Sequence, residues 1–196
     1  MKQNGWPDPT PLSLFVVGGL LIGGFFPVLA EFVSMGAMPL VGCILISSGI
    51  ALLILLVVCL KNGDLFGACL SGVFGVLLAL APGAIFLTQF SASGMGVEVD
   101  PRLTGWYLTY CAPVFLVLLF PAGKRLWHMA LVFLVFVILF ALLGPVFAGY
   151  LSDSMLPVLG WVTFAVGLYF LYLAAAMMIN TEFPKPILPL GGPLFK

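Results

Sequence analysis

Few residues in this chain have the chemistry for catalysis, and their spacing does not gather them. Seven Asp+Glu, seven Lys+Arg and one histidine, His128, are spread over 196 residues. There is no HExxH pair, no phosphate-binding glycine loop and no carboxylate pair at catalytic spacing. Cys43, Cys59, Cys69 and Cys111 all fall inside apolar stretches without a CxxC pair, so they read as small buried hydrophobes rather than metal or redox centres. His128 follows Lys124, Arg125 and Trp127, which suits an interfacial residue; a pH sensor is the alternative. A membrane enzyme still needs activated polar groups, and no Asp, Glu, Lys or Arg falls in the interior of an apolar run, Glu31 standing at the edge of the first. The pattern therefore argues against catalysis, against a metal or cofactor and against a carboxylate proton relay. Passage of a solute and a purely structural role are what it leaves.

One short stretch does place a polar group with purpose. In PDPTPLSL (7–14), Pro9 and Pro11 lack an N–H and carry a fixed φ, which suits the first turn of a helix, where backbone donors have no partner in the helix. Asp8 can cap those donors, and its charge meets the positive helix end. Equally, a helix start of this kind can face an anionic solute. A carboxylate there repels that solute unless it is protonated or occupied in capping.

The elements that position these residues follow from composition. Charged residues make up 7% of the chain and hydrophobic ones 63%, too few polar groups to cover a water-facing surface. Zero formal net charge gives no basic patch for nucleic acid. Six runs approach or exceed the roughly 20 apolar residues that a helix needs to cross a bilayer core of about 30 Å: 12–32, 38–60, 65–87, 106–120, 126–147 and 155–179. The expectation is one six-helix transmembrane domain, all-α, over 1–196. The fourth run is short and holds Pro113, which predicts a kink or half-helix. The first is too long and too weakly flanked by positive charge for a cleaved signal peptide.

Six spans place both termini on one face with Lys2, Lys61, Lys124, Arg125, Lys185 and Lys196, leaving Arg102 on the other. That asymmetry predicts cytoplasmic termini. Gly19 and Gly23, joined by Gly18 and Gly24, and the pairs Ala68/Gly72 and Ser71/Gly75 mark faces for close helix approach within the subunit, at an oligomer interface or along a pore wall. No repeat of 20–50 residues is evident, only a loose parallel between LKNGDLFG (60–67) and PAGKRLW (121–127). The stretch 91–103 reads as an external cap, with solute attraction by Arg102 as the alternative.

DPTPLSL (8–14) resembles the Asn-Pro-Ala-Pro-Leu-Gly-Leu entry to the first helix in the acetate uptake transporter family. Pro9, Pro11, Leu12 and Leu14 match, while Asp8, Thr10 and Ser13 replace Asn, Ala and Gly. KNGDLFG (61–67) is similar to the family's turn between the second and third helices. GWYL (105–108), FALL (140–143), Gly160 with Trp161, YLA (172–174), Asn180 and ILPLG (187–191) follow in register. The resemblance implies a homo-oligomer, hexameric in the family, in the cytoplasmic membrane, with one narrow pore per subunit for acetate or a similar monocarboxylate. It places the family's hydrophobic gate on Val17, Phe74 and Phe136, and its entry on Asp8, Pro9 and Pro11. Leu52, Cys59 and Met177 stand where relatives carry polar residues, which leaves Ser47, Ser48, Ser71, Thr88, Gln89 and helix ends as the polar groups expected along the path. The readings are thus a monocarboxylate channel or transporter, a channel for another small neutral solute, and a non-conducting accessory subunit.

Overall fold

A computed structural model describes residues 6–194; Lys2 and Lys196 lie outside the described residues. Six helices account for most of the chain: α1 (Thr10–Leu29), α2 (Met38–Lys61), α3 (Leu65–Gly94), α4 (Arg102–Arg125), α5 (Trp127–Phe147) and α6 (Leu156–Glu182). All six are long and apolar enough to cross a membrane, and no strand occurs among the described residues. The all-α polytopic architecture is the one the six apolar runs predict.

Two helices are longer than hydropathy marks them. The fourth is a continuous helix of 24 residues that carries Pro113 and Pro121 inside it, which corrects the expected half-helix. Pro113 is exposed, and membrane helices tolerate an internal proline without breaking. Its ends were hidden because Arg102, Thr104, Thr109 and Lys124 dilute the apolar run. The third helix continues to Gly94, and in its polar last turns Thr88 and Ser91 satisfy their hydroxyls on the carbonyls of Ala84 and Leu87 at 2.8 and 2.9 Å. The external connection is therefore 95–101, shorter than the loop expected over 91–103.

Both α1 and α3 widen locally into π-helix, at Leu21–Phe25 and Val73–Leu80. Each widened stretch ends shortly before a proline, Pro27 or Pro82. A proline ring clashes with the carbonyl four residues back and offers it no N–H. The backbone answers by reaching one residue further: the Phe26 N–H bonds to the Leu21 carbonyl and the Ala81 N–H to that of Val76. Such bulges re-aim side chains, and Phe74 rides on one of them.

The helices pack in three antiparallel pairs, α1 with α6, α2 with α3 and α4 with α5. Each seam holds glycines whose missing Cβ is filled by the partner's backbone. A Cβ at Gly49 would lie 2.8 Å from the Gly75 carbonyl oxygen, and one at Gly75 would lie 3.3 Å from that of Gly49. Gly42 with Gly83 and Gly105 with Gly144 repeat this reciprocity at 2.6–2.9 Å, and Gly18 with Gly167 at 3.1 and 3.3 Å. Gly18 and Gly24 point inward, but a Cβ at Gly19 or Gly23 would meet nothing within 4 Å. The GxxxG pair is thus on the outer face, not in a seam.

Lys61, Lys124, Arg125 and Lys185 gather at the end of the bundle that holds the described termini, called the terminal face below; Glu31, Glu98, Asp100, Arg102 and Asp153 lie at the opposite, distal face. If the seams set the packing, Gly49→Leu lowers stability by about 1–3 kcal/mol through overpacking, while Gly19→Leu leaves it unchanged. Thermal midpoints of the detergent-solubilised variants, read by size-exclusion chromatography after heating, check this.

Candidate functional site

The bundle axis carries two cavities, one on each side of a layer of phenylalanines. On the distal side, about 40 Å³ is enclosed by Leu21, Leu78, Tyr107, Phe136, Phe140 and Thr163 among others, room for a few waters at most. Its hydroxyls are largely turned away from the space: Tyr107 donates to the Leu77 carbonyl at 2.7 Å and Thr163 to that of Leu159 at 2.9 Å. On the terminal side a wider vestibule of about 210 Å³ is lined by Thr10, Leu14, Leu70, Arg125, Met129, Leu173, Met177 and Leu190.

Helical spacing shows what lies between. On α1, Leu14 lines the vestibule and Leu21 the distal cavity, so Val17 sits on the same face at the intermediate depth. On α3, Leu70 and Leu78 stand four residues to either side of Phe74. Phe115 on α4, Phe136 on α5 and Phe170 on α6 occupy the same level. Phe74 stands 5.5 Å from Phe115, 5.5 Å from Phe136 and 5.8 Å from Phe170, ring centre to ring centre. Phe115 stacks on Phe136 at 4.7 Å, and Phe133 and Phe140 extend the cluster above and below. Phe74, Phe115, Phe136 and Phe170 have no exposed surface, and Val17 has 2%. Edge-to-face and stacked contacts at these distances favour each pair by about 0.5–1.5 kcal/mol beyond area burial.

Phe74 and Phe136, chosen from the family register, therefore meet directly, and Val17 lies at their depth. Phe115 and Phe170 were missed. The stripe Phe133, Phe136, Phe140 at helical spacing was the available signal for an aromatic layer, and Phe115 sits near the middle of its helix.

At the entry, the Asp8 carboxylate accepts from the Thr10 N–H at 2.9 Å and from its hydroxyl at 2.6 Å. It thereby satisfies the backbone donor of the first helical residue, while Pro9 holds the N-cap position itself. Pro9 is buried and Pro11 half-buried. Asp8 and Pro11 border a surface hollow beside the vestibule rather than the vestibule itself, whose α1 lining is Thr10 and Leu14. The charge at the vestibule wall is that of Arg125. Its guanidinium lies 4.8 Å over the Phe66 ring and pairs with Asp64, one of its contacts being 3.3 Å. Asp64 also caps α3 by accepting from the Gly67 N–H at 2.9 Å.

No residue of α2 lines either cavity. Ser47 and Ser48 bond to their own helix carbonyls, Thr88 does the same on α3, and Gln89 lines neither cavity. Ser71 is buried 3.4 Å from Ser13, off the axis. The expectation that these side chains give the path its polarity is therefore corrected: Thr10, Arg125, Thr104, Tyr107 and Thr163 are the polar lining. Leu52 and Cys59, likewise on α2, face the seam with α3, so their apolar character does not alter the axis. Met177 does line the vestibule. Among the described residues no group of three metal-ligating side chains comes together.

No protein-family model matches the chain, and no curated protein does. Among solved structures, that of the bacterial acetate channel SatP superposes with a TM-score of 0.74 at 22% sequence identity, covering 95% of this chain and 99% of that one. The two proteins share a fold. The likeness agrees with the resemblance carried by the motifs at residues 8–14 and 61–67, and it spans the bundle from α1 to α6.

The aromatic layer holds the two cavities apart, so truncating its central ring should join them. Phe115→Ala is expected to cost about 1–3 kcal/mol. That is below the usual 3–5 for a water-soluble core, because lipid already solvates the ring in the unfolded state and mainly the cavity term is left. A lowered thermal midpoint that recovers on adding benzene or xenon would report the joined void.

Proposed function

We propose that the chain is a channel for acetate or a similarly small monocarboxylate, crossing as the anion or as its neutral acid. The supporting observation is the hourglass on the bundle axis: a vestibule, a dry aromatic constriction and a second cavity, in a fold shared with an acetate channel. Val17, Phe74, Phe115, Phe136 and Phe170 form the constriction in this reading. A narrow apolar segment stops water and ions by dewetting, and side-chain rotation opens it.

The lining also bears on which species passes. A charge without a partner in an apolar passage costs several kcal/mol or more. Near pH 7 a carboxylic acid with a pKa around 4 is about a thousandfold more abundant as the anion. Arg125 and Thr10 can meet that anion in the vestibule, whereas the constriction offers it nothing. The neutral acid suits the apolar middle, and the polar groups at the terminal face suit its capture and release.

Lys61, Lys124, Arg125 and Lys185 on one face, against Arg102 on the other, support cytoplasmic termini in the cell's cytoplasmic membrane. A homo-oligomer, hexameric by the family resemblance, would bring the outer glycines Gly19 and Gly23 against a neighbour.

Uptake of labelled acetate into proteoliposomes, corrected for empty liposomes, tests the proposal. The wild type should show protein-dependent uptake, and Phe74→Ala and Phe136→Ala should raise it several-fold. Passage of the neutral acid predicts an increase of about a hundredfold from pH 7 to pH 5, following its abundance; passage of the anion predicts little change. Flat traces from all three proteins would favour another solute or the accessory-subunit reading.

A further inference from the structure

The segment after α6 turns back across the terminal face and is held there by three helices. Asn180 on α6 accepts from the N–H groups of Ile187 and Leu188 at 2.8 and 3.0 Å, and donates to the Leu188 carbonyl at 2.8 Å. Tyr172 donates to the Pro189 carbonyl at 2.8 Å. From α5, His128 Nε2 lies 2.6 Å from the Leu190 carbonyl, which can only accept, so this nitrogen carries the proton. His128 Nδ1 lies 2.5 Å from the Tyr169 hydroxyl, in hydrogen-bond contact. The Trp127 N–H reaches the Gly192 carbonyl at 2.9 Å, and the Leu194 N–H reaches that of Gly123 on α4 at 2.8 Å.

Composition suits the segment to this work. Pro184, Pro186, Pro189 and Pro193 stiffen it and remove donors that would otherwise need partners. Gly191 turns at φ +70°, where a Cβ would run into the His128 ring at 2.9 Å, so only glycine lets the chain pass so close. The outcome is the placement of one side chain. Leu190 enters the vestibule wall, and it also borders the surface hollow of Asp8, Pro11 and Asn180. Leu190 and Met177 are the two residues common to both spaces, so they form the partition between the vestibule and that hollow.

We infer that Leu190 is a second gate residue, closing the vestibule toward that hollow in series with the phenylalanine layer, and that residues 183–194 are the strap that holds it shut. Its meaning as a gate for solute rests on the channel reading above; the closure itself does not. The bonds that hold it come from α4, α5 and α6, the helices that also carry Phe115, Phe136 and Phe170. None of those bonds is made by a ring of the layer, so the two closures are separable by mutation.

The test uses the full chain with its four cysteines replaced by alanine and one reporter, Leu70→Cys, in the vestibule wall. Labelling of the purified protein by a water-soluble maleimide is timed with Leu190 intact, with Leu190→Ala and with Asn180→Ala. An exposed reporter, Lys124→Cys, normalises reagent and folding, and Met129→Cys serves if Leu70→Cys does not fold. Both Leu190→Ala and Asn180→Ala should raise the vestibule labelling rate at least tenfold while leaving the Lys124→Cys rate unchanged. An equal vestibule rate in all three backgrounds overturns the gate. Acetate uptake is measured on the same proteins. Silent uptake with accelerated labelling keeps the gate and removes acetate as the solute; wild-type uptake with unaltered labelling does the reverse.

Discussion

Everything in this bundle depends on how closely helix backbones can approach in lipid. Burying a leucine between two membrane helices gains little over leaving it among acyl chains, so packing and hydrogen bonding must hold the helices together. The reciprocal glycines do this by letting each backbone occupy the space of the other's absent Cβ. Gly18 with Gly167, Gly42 with Gly83, Gly49 with Gly75 and Gly105 with Gly144 tie the chain into three helix pairs. Because the tight contacts lie within pairs, large side chains can fill the space where the pairs converge. Phenylalanines occupy that space.

The same constraint explains the asymmetric position of α2. It is bound to α3 by two glycine contacts and contributes nothing to the axis. Five helices then surround the axis, and each supplies a residue at the level of the aromatic layer. The proline-driven π turns in α1 and α3 belong to this arrangement. They shift the faces of the two helices just where Leu21 and Phe74 must reach inward, an adjustment that a regular 3.6-residue helix does not offer.

Much of the architecture was legible in the residues. Six apolar runs predict six helices, and the Asp-Pro-x-Pro entry predicts a capped helix start that the Asp8 to Thr10 bonds realise. The constriction was half legible: Phe74 and Phe136 came from register, but Phe115 and Phe170 did not. A phenylalanine in a membrane helix carries no mark saying whether it faces lipid, a neighbour or the axis. The polar positions misled for a related reason. Serines and threonines in membrane helices satisfy themselves on carbonyls one turn back, so Ser47, Ser48 and Thr88 say nothing about a path. The role of the Pro-rich C-terminal segment was hidden because it depends on side chains of α5 and α6 that are remote in sequence.

Among the described residues every Asp, Glu, Lys, Arg and His side chain lies at one end of the bundle or the other, and the stretch between holds none. A membrane voltage acts on charge, at about 2.3 kcal/mol per elementary charge per 100 mV. Rotation of phenylalanine rings moves no charge through that field. In the channel proposed above, opening of the constriction would therefore be electrically silent, and any response of flux to membrane potential would belong to the passenger alone.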